Sequence, residues 1–122
     1  MNTLLAEFYS SEGPERVGFI LEDGSIVEVE NVANDPVKGF DVCAEDLMVF
    51  AERAVASWHT HPGVKANLSN EDYSAFLGWS NLEHYVIGND GIRQYVVTSD
   101  GQVTEAYVQT QNSPPREASR PL

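Results

Sequence analysis

Val55-Ala56-Ser57-Trp58-His59-Thr60-His61 reads as a strand that Pro62-Gly63 brings to an end. On extended backbone, positions two apart share a face, so the His59 and His61 imidazoles can reach one point. Pro62 reinforces this by keeping His61 out of the helical region. Downstream, Ser69 to Trp79 reads as a helix with Tyr73, Phe76 and Leu77 facing inward. Glu83 to Ile87, Ile92 to Thr98 and Val103 to Val108 read as three strands of a meander, joined by turns at Asn89-Asp90-Gly91 and Asp100-Gly101. Upstream, residues 44–54 carry Leu47, Phe50, Ala51 and Ala54 on a helical stripe. Arg16 to Leu21 and Ser25 to Val32 read as a hairpin about Asp23-Gly24, and residues 2–10 as a helix stopped by Gly13-Pro14. Methionine, tryptophan and phenylalanine positions on the helices are expected in the core. The pattern is mixed α and β.

At 122 residues the chain fits one domain, expected over residues 1–109, with a polar, proline-containing tail over 110–122 expected to be mobile. Seven basic residues against nineteen acidic ones give a net charge of −12. That balance argues against nucleic acid and anionic membrane surfaces as partners, because both need a basic patch. No apolar run reaches the ~18–20 residues of a membrane span, and the first residues are too polar for a signal peptide. Cys43 is the only cysteine, so no intramolecular disulfide can form, and a reducing cytoplasm is the expected setting.

Chemistry concentrates around the histidine pair. A third ligand from another element would complete a facial set and leave a position for water, as in a catalytic zinc site. Asp72 is the natural candidate, on a helix that the loop from Pro62 to Leu68 can turn back beside the strand end. Glu71 is the runner-up but points about 100° away around the helix. Each element of this constellation has a plainer reading. His-x-His pairs also occur as ordinary half-exposed strand residues. Ser69-Asn70-Glu71-Asp72 is also a helix N-terminal signature, with Ser69 as cap and Asp72 reaching back to the backbone. His84 has no partner at ligand spacing and reads as a structural or surface histidine. A two-histidine, one-carboxylate set also accepts divalent ions other than zinc.

With these residues the sequence resembles the JAMM/MPN+ (JAB) zinc metallopeptidases, whose motif is an upstream Glu followed by His-x-His-Pro, a Ser and an Asp. Here the downstream part stands as Trp58-His59-Thr60-His61-Pro62 and Ser69-Asn70-Glu71-Asp72. The upstream part corresponds to Gly13-Pro14-Glu15-Arg16-Val17-Gly18, where Val17 replaces the Cys common in the family and Pro14 directly precedes the Glu. The resemblance spans residues 1–108. It implies an α/β (α+β) domain with a curved, mainly antiparallel sheet flanked by helices, of the cytidine-deaminase-like kind. It also implies that His59, His61 and Asp72 hold Zn²⁺, which lowers the pKa of a bound water to about 7. Glu15 would be the general base and Ser69 the oxyanion donor. Glu12 and Glu22 are the alternatives to Glu15; on position alone Glu15 reads as a solvated carboxylate, and Ser69 can cap and donate at once.

The implied activity is hydrolysis of a peptide or isopeptide bond, with a peptide or a ubiquitin-like conjugate as substrate. The sequence is further similar to the JAB domains of phage tail-assembly proteins of the lambda tail-tip kind, through Asn34-Asp35-Pro36, Phe40 and the closing meander. Tail proteins are then expected partners, in the host cytoplasm or the virion tail, without the NlpC/P60 domain that often follows. The competing expectation is a structural or assembly subunit of a tail whose metal site is not needed for catalysis.

Overall fold

The computed structural model describes residues 2–109 and has the element order α1 (Asn2–Ala6), β1 (Val17–Leu21), β2 (Ile26–Val29), α2 (Ala44–Phe50), β3 (Ala54–Thr60), α3 (Asn70–Gly78), β4 (Glu83–Gly88), β5 (Gly91–Val97) and β6 (Val103–Gln109). The expected tail over 110–122 lies outside the described residues. The strands form one sheet in the order β2-β1-β3-β4-β5-β6. Every neighbouring pair is antiparallel except β3 and β4. The result is a single α+β domain with a mostly antiparallel sheet and three helices. No helix among the described residues is long and apolar enough to cross a membrane.

Local chemistry accounts for these joints. In the β1–β2 hairpin Gly24 takes φ +89°, and Asp23 Oδ1 accepts from the Ser25 amide at 2.9 Å. The parallel β3–β4 pair needs a crossover, and residues 61–82, including α3, supply it. That crossover returns α3 to the carboxyl end of β3, where the histidines lie.

A bulge sets which side chains share a face. Ile20 pairs with Ala56 but Leu21 pairs with Ala54, leaving Val55 unmatched and exposed. Ala54 therefore packs with Val17, Phe19, Leu21 and Leu82, against Leu47 and Phe50 of α2. Ala56 and Trp58 face the other way, with Leu5, Ile20, Ile87 and Ile92. His59 lies opposite Val17 and Ser57 opposite Phe19, so both join the face that α3 also covers. A third cluster beneath α3 joins Ala66, Phe76, Val86 and Tyr95.

Gly18 pairs with Trp58, and the indole fills the space a side chain would take. A Cβ at Gly18 would lie 1.9 Å from the Val27 carbonyl oxygen and 2.6 Å from the Trp58 ring. Gly18→Ala is expected to destabilise the fold by about 3 kcal/mol, read from urea unfolding midpoints.

Several expectations are corrected. The N-terminal helix ends at Ala6, and Phe8 and Tyr9 follow it, partly buried against the core of that face. The second helix stops at Phe50; Ala51 is exposed and Ala54 belongs to β3. Leu77 and Met48 face solvent, Met48 at 83% exposure, because α3 buries only Asp72 and Phe76 and α2 rests only the partly buried Leu47 and Phe50 on the core. The second strand is shorter than expected and ends at Val29.

His84 is fully buried, stacked 4.1 Å from the Phe76 ring. Its Nε2 donates to the Trp79 carbonyl at 3.0 Å, which leaves Nδ1 to accept from the Ser57 hydroxyl at 2.7 Å. Burial pushes its pKa down to about 4 from 6.5. The neutral ring therefore contributes stability that is complete above pH 6.5 and is lost as pH falls through about 4. The stability advantage of wild type over His84→Gln is expected to shrink by about 3 kcal/mol between pH 7 and pH 4 in urea titrations.

Candidate metal centre

The antiparallel register between β1 and β3 builds the site. Val17 stands opposite His59, and the pairing runs on as the Thr60 amide donates to the Arg16 carbonyl at 2.9 Å and the Arg16 amide to Thr60 Oγ1 at 2.9 Å. One step further, Glu15 comes beside His61 on the face that carries His59. All three are buried, and one donor atom from each lies within 4.8 Å of the others. This group could hold a metal ion. Glu12 and Glu22, the alternatives, are both exposed and outside it.

Asp72 arrives from α3 and touches both imidazoles. Its Oδ1 lies 3.0 Å from His59 Nε2 and its Oδ2 lies 3.0 Å from His61 Nε2. The two Nε2 atoms are 3.2 Å apart. Donors ~2.0 Å from a tetrahedral ion stand about 3.3 Å from one another, so these separations suit a small divalent cation. Asp72 also closes the capping box: its amide donates to Ser69 Oγ at 3.0 Å, and its Oδ2 accepts from the Ser69 amide at 3.3 Å. The cap and the contact with both histidines coexist in one side chain, because the first turn of α3 points at the strand end.

Tautomers show why this centre suits a cation. His61 Nδ1 lies 3.0 Å from the Lys65 carbonyl, which can only accept, so Nδ1 carries the proton. In the neutral ring Nε2 then turns a lone pair toward Asp72 Oδ2 and His59 Nε2, while in the protonated ring it donates to Asp72. Acceptor faces acceptor unless positive charge enters between them. A backbone carbonyl that fixes one ring nitrogen and frees the other is the usual support of a metal-binding histidine. The His59 ring is held between Phe40, 4.5 Å away, and Phe76, 6.0 Å away, while its Nδ1 has no hydrogen-bond partner.

Charge in the site follows from burial and these contacts. Burial pushes the Glu15 carboxyl up to about 7, His61 opposes that, and the negative charges of Asp72 and Glu71 add to it. Its Oε1 is buried with no partner. Burial alone would raise Asp72 as well, but the two imidazoles outweigh it and hold its carboxyl below the usual range. Burial alone would lower His61, but hydrogen bonds to Asp72 and to the Lys65 carbonyl, and the charges of Asp72 and Glu15, carry it above its ordinary value.

A cleft of about 630 Å³ opens over this group, with Glu15, His61 and Ser69 in its wall. Ser69 Oγ accepts only the Asp72 amide, so its hydroxyl proton remains free to donate. Two supports carried no signal in the sequence. Asn31 Nδ2 donates to the Glu15 and Gly39 carbonyls at 2.8 and 3.0 Å, fixing the segment that carries Glu15. Gly88 lets the 64–66 backbone close in, since a Cβ there would meet the Ala66 nitrogen at 2.3 Å; this sets the Lys65 carbonyl against His61. Comparison with known protein families finds no match, and comparison with curated proteins finds none either.

Proposed function

We propose that the chain is a zinc-dependent peptidase or isopeptidase of the JAMM/MPN+ kind, with His59, His61 and Asp72 as metal ligands, Glu15 as general base and Ser69 as oxyanion donor. The observation that carries the reading is the convergence of His59 Nε2, His61 Nε2 and the Asp72 carboxylate beside a buried, unpartnered Glu15 oxygen, with Glu15 and His61 in the wall of an open cleft. Bound to these donors, zinc would supply Lewis acidity and an activated water. Burial pushes the Glu15 carboxyl up in the metal-free site and Oε1 has no hydrogen bond, so the group is placed to take a proton from water and return it to the departing amine. Ser69 can turn its free hydroxyl proton toward a carbonyl oxygen as negative charge develops there. The hydrolysis balances: water's hydroxyl goes to the carbonyl carbon, its proton to the amine nitrogen, and the C–N bond breaks. The choice of a phage tail as setting rests on the sequence resemblance and belongs to this same proposal.

Elemental analysis of the purified protein, followed by assays on peptide and isopeptide substrates, tests it. Stoichiometric zinc with turnover that stops on chelation is the expected result. Protein that takes up no divalent ion overturns it.

A further inference from the structure

We propose that the cleft over the metal centre selects a peptide bearing a carboxylate next to the bond to be cut, through two Val-Lys pairs that form its rim. This rests on the hydrolase reading above and names its substrate class.

The chain has two lysines, Lys38 and Lys65, among 122 residues with a net charge of −12, and both line this one cleft. Their setting departs from that of the arginines among the described residues. Arg16 pairs with Glu28 at 2.7 Å, Arg53 lies 3.9 Å from Asp23, and Arg93 pairs with Asp90 at 3.0 Å. Among the described residues, neither lysine has a carboxylate within ion-pair distance. Among the described residues these two lysines, without a carboxylate partner, thus line the cleft over buried Glu15 and Asp72, in a chain of net charge −12.

Each lysine follows an exposed valine in the same wall, Val37 and Val64. Both pairs sit on anchored backbone. The Lys38 amide donates to the Asp35 carbonyl at 3.0 Å, and the Glu15 amide donates to the Pro36 carbonyl at 2.7 Å, which ties that turn to the proposed base. At the second pair, the Asn89 amide donates to the Val64 carbonyl at 2.8 Å and the Ala66 amide to Asp90 Oδ1 at 2.9 Å. Two exposed valines, each followed by a lysine, in one cleft wall fit an extended peptide with an aliphatic side chain and a carboxylate. That carboxylate is an Asp or Glu side chain or the chain terminus; the chemistry is the same and the experiment separates them.

Fluorescent hexapeptides carrying Glu, Gln or Lys beside a central valine, each as free acid and as amide, would be titrated by anisotropy against the zinc-loaded full chain with Glu15→Gln. The same peptides would be assayed for hydrolysis by wild type. The Glu peptide is expected to bind about tenfold tighter than its Gln analogue at low salt, with the preference lost in Lys38→Met/Lys65→Met and at high ionic strength. Preference kept in the amidated Glu peptide identifies a side-chain carboxylate; preference that follows the free acid in the Gln peptide identifies the terminus. Gln or Lys peptides bound and cut as well as Glu peptides overturn the selectivity while leaving the hydrolase intact. Lysine-dependent binding of Glu peptides with no hydrolysis of any overturns the hydrolase and supports the acidic ligand.

Discussion

The His61→Ala protein is expected to purify without zinc, whereas wild type carries about one equivalent and melts about 15 °C higher with zinc than after chelation. His61 has the geometry of a dedicated ligand: the Lys65 carbonyl takes its Nδ1 proton, and its Nε2 lies 3.0 Å from Asp72 and 3.2 Å from His59. Removing it takes away one of the three proposed donors and leaves the Asp72 carboxylate with only His59 and the Ser69 amide. The thermal shift follows from linkage. Zinc present at about a thousand times its dissociation constant adds about 4 kcal/mol, and a domain of this size gains about 4 °C per kcal/mol. Asp72→Asn separates the two roles of that residue. The amide oxygen can still accept from the Ser69 amide, so α3 is expected to keep its cap, while the lost charge is expected to cut zinc affinity at least a hundredfold. Circular dichroism and zinc titration read the two effects independently. Equal zinc affinity in Asp72→Asn would leave Asp72 as a cap alone.

Much of this centre was legible because its parts have strong local signatures. His59 and His61 lie two apart, one on β3 and one just past its end before Pro62, and period two along extended backbone is enough to expect both rings on one face. Ser69 and Asp72 announced a helix start, and a helix start is also where a carboxylate can be aimed back at the strand before it. The meander from β4 to β6 followed from Gly-containing turns. What the sequence withheld is non-local. Glu15 read as a solvated carboxylate after a turn, and it is buried because Val17 pairs with His59 and because Asn31 holds the Glu15 carbonyl. Neither fact has a local sequence mark. The bulge at Val55 is equally silent, yet it puts Ala54 and His59 on one face against simple alternation. Met48 and Leu77 misled because hydrophobicity states what a side chain prefers, and a helix packed along one stripe leaves some preferences unmet. His84 lacked a ligand partner and proved a buried polar link between Ser57 and Trp79, two residues that sequence spacing cannot connect.

Glu15→Gln is expected to keep its zinc and its fold while losing hydrolysis by about a hundredfold to ten-thousandfold, the usual worth of a positioned general base. The glutamine fits the same space and cannot carry a proton between water and a leaving amine. The substitution also decides between two places for Glu15, which shares a group within 4.8 Å with both histidines and could itself be a ligand. As a base it leaves zinc stoichiometry unchanged when replaced, and the loss falls on kcat; as a ligand it takes the metal with it. Stability supplies a third readout. A carboxylate buried with an unpartnered oxygen costs free energy, which is why its pKa stands at about 7. The neutral amide escapes most of that cost, so the metal-free Glu15→Gln protein is expected to be more stable than metal-free wild type by about 1–3 kcal/mol above pH 7 in urea unfolding. A gain in stability together with a loss of turnover is the mark of a residue held in place for chemistry, since packing alone would favour the variant. Unchanged turnover in Glu15→Gln would remove the base and with it the hydrolase.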